Sequence, residues 1–250
     1  ANGVLKTVNG STLAVEPWFN QDIPGTQATS NTQNIYQMGT VAIGKVEVQS
    51  NVVLDVEGPV RLGGAHLGNV GPNSVAIGTA NTASGTNSFA GGTNTISVDE
   101  STFAFGTNNA ASASHAIAFG SKNNVSGEYA VAIGQQNEAT GANALAIGKE
   151  NTANAEGAIT LGTNNKNDEA INSSILGGDQ NQINAIGNTL GGITSSNVIS
   201  GGRSNTITAD GNIATIAGGL ANRVEGRFGT VSGGAVNTSY SYGEWVGGLQ

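Results

Sequence analysis

A short apolar phrase ending in glycine returns on a fixed step through the middle of the chain, and that step constrains the fold more than any other feature. The phrases are Val75-Ala76-Ile77-Gly78, Phe89-Ala90-Gly91-Gly92, Phe103-Ala104-Phe105-Gly106, Ile117-Ala118-Phe119-Gly120, Val131-Ala132-Ile133-Gly134, Leu145-Ala146-Ile147-Gly148 and Ile159-Thr160-Leu161-Gly162. Their final glycines are 14 residues apart six times in succession. Asn81, Asn109, Asn123, Asn137, Asn151 and Asn165 keep the same step, each three residues after one of those glycines. Self-similarity of this kind means stacked, near-identical units.

No helical periodicity and no heptads appear, while the phrases alternate as strands do. Val75 and Ile77 fall on one face of a strand and Ala76 on the other, because side chains alternate along β structure. Both faces are apolar, so both are expected to be covered. The expectation is that the large residues fill the inside of each coil and that the Ala face allows close approach by something else. The fold class is therefore all-β: a single-stranded parallel β-solenoid of ~14-residue coils. About thirteen coils at ~4.8 Å each give a rod on the order of 60 Å long. The few aliphatic residues of one coil bury too little surface to offset the entropy of ordering its backbone. Ladder hydrogen bonds and burial between chains are expected to supply the rest, which points to an oligomer.

Three segments follow. Residues 1–40 do not repeat and hold Trp18 and Phe19 beside Pro17 and Pro24; they read either as a poorly ordered lead-in or as a cap for the end of the stack. Residues 41–165 carry the regular phrases, beginning with Val41-Ala42-Ile43-Gly44. In residues 166–250 a second glycine replaces the large residue before the first: Ile175-Leu176-Gly177-Gly178, Leu190-Gly191-Gly192, Ile199-Ser200-Gly201-Gly202, Ile216-Ala217-Gly218-Gly219, Val231-Ser232-Gly233-Gly234 and Val246-Gly247-Gly248. The spacings here become 16, 14, 10, 17, 15 and 14, so loops of varying length emerge. Asn181, Asn205, Asn222 and Asn237 keep the earlier offset. The expectation is a thinner wall, with backbone approaching backbone where Ile77 or Ile133 stood before. Tyr240, Tyr242 and Trp245 read as a terminal cap.

Composition bounds the function. Glycine at 39 of 250 residues without a Gly-X-Y triplet excludes collagen and suits tight corners, where Asn is the next best residue. The absence of cysteine removes disulfides, zinc-thiolate sites and thiol catalysis. Net charge is −8, and the nine basic residues are scattered from Lys6 to Arg227, so no basic stripe exists for nucleic acid or anionic lipid. No long apolar run spans a membrane, and Ala1-Asn2 opens without the pattern of a signal peptide, as expected of a mature or excised piece.

No chemistry-bearing constellation assembles from the sequence. His66 and His115 lack a second His, a Cys or an acid pair and read as exposed turn residues, so neither a metal nor a catalytic site is expected. Asp99-Glu100 and Asp168-Glu169 point to opposite faces and read as solvated turn charges. Gly177-Gly178-Asp179 is similar to the calcium-binding nonapeptide, but the period is not nine and Asn fills the aspartate site. A hexapeptide acyltransferase lacks its six-residue step here. The stacked asparagines are expected to form a hydrogen-bonded ladder in the turn. No cofactor is implied.

The phrase Asn73-Ser74-Val75-Ala76-Ile77-Gly78, with its echoes at Tyr129-Ala130-Val131-Ala132-Ile133-Gly134 and Asn143-Ala144-Leu145-Ala146-Ile147-Gly148, resembles the head repeats of trimeric autotransporter adhesins of the Yersinia type. The resemblance covers residues 41–165 well and continues more loosely to 250. It implies a left-handed parallel β-roll, three of which associate on the surface of a Gram-negative bacterium. The implied role is non-enzymatic: attachment to host matrix proteins such as collagen, fibronectin or laminin, to host cells, or between copies in biofilm. In the family, this phrase followed by Ser is linked to collagen binding, which makes Asn73, Ser74, Val75, Ala76, Ile77 and Gly78 the candidate ligand-binding residues; Asn81 stands at the Ser position here. Membrane anchoring would come through a neck, stalk and anchor absent from these residues. Two other readings compete. A trimeric phage tail fibre or tailspike would bind glycan and show clustered carboxylates. An ice-binding solenoid would need an unbroken Thr column, whereas Thr79, Thr93, Thr107 and Thr163 are interrupted by Ser121, Gln135 and Lys149.

Overall fold

The computed structural model describes residues 58–64, 68–184, 196–208, 210 and 212–248, together with the backbone of the short strands Phe19–Asn20, Ile35–Tyr36, Val41–Ile43 and Leu54–Val56. Two compact units divide the chain, residues 1–57 and 58–250. In the first, Phe19–Asn20 pairs antiparallel with Ile35–Tyr36, and Val41–Ile43 pairs in parallel with Leu54–Val56. The remaining residues of the lead-in, Trp18 among them, lie outside the described residues, as does His66.

The second unit is a parallel β-solenoid. Each regular coil contributes a five-residue strand, such as Val131–Gln135, and a two-residue strand, such as Glu138–Ala139. The longer strands stack into a 13-stranded sheet running from Val60–Gly64 to Trp245–Val246, and the shorter ones into an 11-stranded sheet from Thr82–Ala83 to Thr238–Ser239. Every pairing within these sheets is parallel and links the same position of successive coils: Val131 with Leu145, Ala132 with Ala146, Ile133 with Ile147. The 14-residue step of the sequence is thus the circumference of one coil.

The inside of the coil corrects the sequence expectation. It is the small residue that points inward: Ala76, Ala90, Ala104, Ala118, Ala132 and Ala146 are fully buried, whereas Ile77, Phe105 and Phe119 are exposed. Opposite the long strand, Ala83, Ala111, Ala139 and Ala153 point in from the short one. A coil that closes in 14 residues encloses room for methyl groups and little else, so branched side chains are turned outward. The core of these coils is a column of alanine from Ala104 to Ala158, varied by Val125.

Beyond Gly162 the interior changes. Strand Ser174–Ile175 pairs with Ile159 and Thr160, which places Ile175 at the inward Ala position. Ile175, Ile183, Ile199, Ile207, Ile216, Val224 and Val231 are all fully buried. The register also shows that the second glycine is an insertion and not a replacement. Leu176 continues the pairing begun by Ile175, donating its N–H to Ile199 O, while Asp179 bridges Thr163. Three residues, Leu176, Gly177 and Gly178, therefore stand where Leu161 and Gly162 stood. The added residue lengthens the circumference, and the wider coil accepts isoleucine. Ser174–Ile175 pairs directly with Val198–Ile199, so one coil takes 24 residues. Leu190-Gly191-Gly192 lies outside the described residues.

The expected asparagine ladder is present, and it is buried. Asn137 Nδ2 donates to Ile133 O in its own coil at 3.0 Å and to Gly148 O in the next at 2.9 Å, while its Oδ1 accepts the N–H of Asn151 at 3.0 Å. The same three contacts recur at Asn109, Asn123 and Asn151, and the column continues through Asn181, Asn205, Asn222 and Asn237 across coils of 16, 24, 17 and 15 residues. Thr95 fills the one break, its N–H and hydroxyl both donating to Asn81 Oδ1. The glycine before each Asn is fixed by the same corner: at Gly120 φ is +120° and an added Cβ would lie 2.1 Å from the Gly134 carbonyl oxygen.

Two further corners per coil hold a left-handed residue. Asn serves at Asn73, Asn87, Asn94, Asn108 and Asn143, but Val236 does so with φ 60° and a side chain 75% exposed. A β-branched residue is strained there and Asn is tolerated.

Asn137→Ala is expected to lower stability by about 2–4 kcal/mol, since it removes the buried hydrogen bonds to Ile133 O and Gly148 O and the acceptor of the Asn151 N–H; chemical denaturation measures it. Val236→Asn is expected to raise stability by about 1 kcal/mol by relieving the corner strain, read as a higher denaturation midpoint.

Candidate functional site

The large side chains turned out of the coil line up along the stack, because each pairs with its equivalent above and below. Two rows result on the outer face of the long-strand sheet, one through Val75, Phe103, Val131 and Ile159, the other through Ile77, Phe105, Ile133 and Leu161. Members of the first row are largely half-buried by their neighbours; in the second, Ile77 is 39% exposed, Phe105 41% and Phe119 46%. Phe89 stacks on Phe103 at 5.0 Å and Phe105 on Phe119 at 5.5 Å. Gly91 makes room among them, since a Cβ there would lie 2.7 Å from both the Phe89 and Phe105 rings. The result is a continuous apolar wall from Leu62 to Leu176. Past Leu176 the equivalent outward positions hold Val198 and Ser200, Thr215 and Ala217, then Thr230 and Ser232, and the wall ends. An exposed apolar surface this extended marks a contact.

The phrase Asn73–Gly78 is divided by the strand's alternation. Ser74 and Ala76 are fully buried, Val75 is half-buried, and Asn73 and Ile77 are exposed. Ser74 Oγ lies 2.5 Å from Gly85 O and accepts the Ser88 N–H, so it braces the coil above it. Asn73 occupies a left-handed corner and reaches the side chain of Asn87 at 3.3 Å. Asn81, at the family's Ser position, is buried in the ladder. The six residues are thus contiguous in the chain but present only Asn73, Ile77 and parts of Val75 and Gly78 outward.

The remaining candidates disperse. His115 is exposed and stacks on the Tyr129 ring at 4.6 Å. Asp99 and Glu100 are exposed beside a shallow, open depression of about 420 Å³ that Ser84, Gly85, Thr86 and Val98 also line. Asp168 pairs with Lys166, and Asp179 with Arg203 of the next coil at 3.5 Å rather than closing on Gly177-Gly178 as a cation loop. Among the described residues no group of three or more His, Cys, Asp or Glu side chains is placed to hold a metal ion. Tyr240, Tyr242 and Trp245 do not form a covering cluster: Trp245 lies across Gly247 and is 68% exposed, and Tyr242 packs edge-on to Phe228 at 5.1 Å. Sequence reasoning missed the wall because it assigned these large residues to the interior. The signal that identifies them is the constancy of Ala between them, since a narrow coil admits nothing larger.

A stack of parallel coils with a buried Asn column and an outward apolar wall is a repeat-built scaffold with an extended surface. Segments 70–95, 100–123, 111–137, 126–151 and 139–165 each match the YadA head domain repeat, described as two copies. Residues 70–165 are therefore a run of YadA head repeats, the building block of trimeric autotransporter adhesin heads. The matches stop at 165, where the interior begins its change from alanine to isoleucine. No curated protein matches the chain.

Ser74→Ala is expected to lower stability by about 1–3 kcal/mol through loss of a buried hydrogen-bonding hydroxyl. Asn73→Gly, which keeps the corner conformation, is expected to change it by less than about 0.5 kcal/mol. Thermal denaturation of both variants checks the division of the phrase.

Proposed function

We propose that this chain is the head of a bacterial surface adhesin that works as a homotrimer of left-handed β-rolls, binding host extracellular matrix proteins or host cells without catalysis. The observation that carries the reading is the apolar wall between Leu62 and Leu176, formed by coils that match adhesin head repeats. A soluble protein does not leave so long a row of Ile, Phe and Leu in water, and copies of the same chain offer the matching periodicity. In the assembled head Val75 and Ile77 face partner copies, while Asn73 and the polar corner residues stay outside and are the part of the phrase free to meet a ligand. Extended, repeated and individually weak contacts gain strength from the threefold multiplicity. The ligand class proposed is collagen, fibronectin or laminin, and the location is the surface of a Gram-negative cell, with anchoring supplied by other parts of the protein.

The mass in solution, from light scattering at micromolar concentration, is expected to be three times that of the chain. The trimer is expected to bind immobilised collagen, fibronectin or laminin saturably, and Asn73→Gly to weaken that binding without changing the mass. A single-chain mass counts against the proposal, and binding to bacterial polysaccharide alone, with release of reducing ends, turns it toward a phage fibre.

A further inference from the structure

The corner before each long strand holds a left-handed residue, and the column it forms is filled in two ways. Asn73, Asn87, Asn143 and Asn172 take the conformation with φ between 52° and 57°, as suits asparagine. Further along the same column Phe228 is held at φ 57°, a conformation that bulky side chains avoid. Its ring gains no place in the core in return: it is exposed and meets Tyr242 of the next coil edge-on at 5.1 Å. Tyr242 is itself 75% exposed. Strain kept at an exposed aromatic residue, where asparagine would relieve it, points to contact with a ligand. Beside the ring pair stands Arg227. Its guanidinium lies 5.9 Å from the centre of the Phe228 ring, and its buried Nε has no hydrogen-bond partner. The other charges between residues 216 and 246 are engaged, Arg223 with Glu225 at 2.5 Å and Glu244 with the N–H groups of Tyr240 and Ser241. One unpaired cation thus adjoins two exposed rings.

We infer that Arg227, Phe228 and Tyr242 form a binding site for a sugar ring that carries a carboxylate, a sialic or uronic acid of a glycan. A pyranose presents a patch of C–H groups on one face; their partial positive charge meets the negative face of an aromatic ring, and the contact removes apolar surface from water. The planar guanidinium accommodates the carboxylate in two parallel N–H···O bonds, a geometry that arginine offers and a point charge does not. A peptide is the poorer occupant. The N–H of Phe228 is spent on Asn212 O and that of Gly243 on Arg227 O, so the corner has no free strand edge to pair with an extended chain. What it offers is two rings and one free fork of donors, which match a flat ring with an acid on its rim. The site lies within one chain. It goes beyond the matrix-protein reading above and does not depend on it.

Ligand-observed NMR titration of the full chain tests it, with sialyllactose, a hyaluronan tetrasaccharide, lactose and a glutamate-rich peptide as probes. At least one of the two acidic sugars is expected to bind at least about tenfold more tightly than lactose, and the one that binds identifies the acid. Arg227→Gln is expected to bring that affinity down to about the level of lactose, and Tyr242→Ala to weaken it at least about fivefold, with the circular dichroism of both variants unchanged. Tyr242 is exposed, so its truncation leaves the core intact and keeps the test open even if Arg227→Gln disturbs the corner. Absence of binding by both acidic sugars, equal affinity for an acidic sugar and lactose, tighter binding of the peptide than of either sugar, or full affinity retained by a folded Tyr242→Ala variant would each overturn the site.

Discussion

One carboxamide per coil holds the structure together. At each corner after the long strand a carbonyl accepts twice: Gly178 O takes the Thr163 N–H and Asn165 Nδ2, each at 3.0 Å. The Asn side chain adds a donor to carbonyls of its own and the next coil and an acceptor to the backbone of the next, so the buried corner is fully hydrogen-bonded. Because the acceptor belongs to the neighbouring coil, each corner also sets the registry of the next. The glycine column, the parallel pairing and the outward alignment of side chains all depend on that registry. Where coil length varies between 15 and 24 residues, the Asn column still runs through unchanged, which shows that the extra residues are accommodated elsewhere on the coil.

From the fixed corners follows the allocation of apolar side chains. A 14-residue coil holds mostly alanine at its inward strand positions, with Val125 and Thr160 the larger exceptions, and its large residues face outward and form a wall. One additional glycine per coil widens the circumference, and isoleucine moves inside. Gly177 shows why the added residue is glycine at no packing cost, since a Cβ there would meet nothing within 4 Å. A change of one residue per repeat thus accompanies a switch from coils whose large apolar residues lie outside to coils that hold them within.

This allocation also separates two kinds of surface. The wall is apolar and continuous along the coils, while the corners, lined by Asn, Ser, His and Tyr, are polar and repeated. Among the described residues no group of three or more His, Cys, Asp or Glu side chains is placed to hold a metal ion. The functional reading therefore rests on surfaces and their repetition, in keeping with the head repeats matched between residues 70 and 165.

The sequence by itself determined the stack. A step of 14 residues repeated six times, with Gly and Asn at fixed offsets, is enough to specify parallel coils, the position of each corner and the Asn ladder, because in a solenoid neighbours in space are equivalents in sequence. It also marked where the repeat changes, after Gly162. What only the tertiary structure decided is which face of each strand is inside. Alternation gives two faces with a period of two and no direction, and in Val75-Ala76-Ile77 both are apolar. The choice is made by the circumference of the closed coil, a property of all its residues together. For the same reason the Gly-Gly phrase reads from sequence as a replacement and proves to be an insertion. Ser74 and Ala76, contiguous with Asn73 and Ile77 in the candidate phrase, are taken out of reach of any ligand by that same closure.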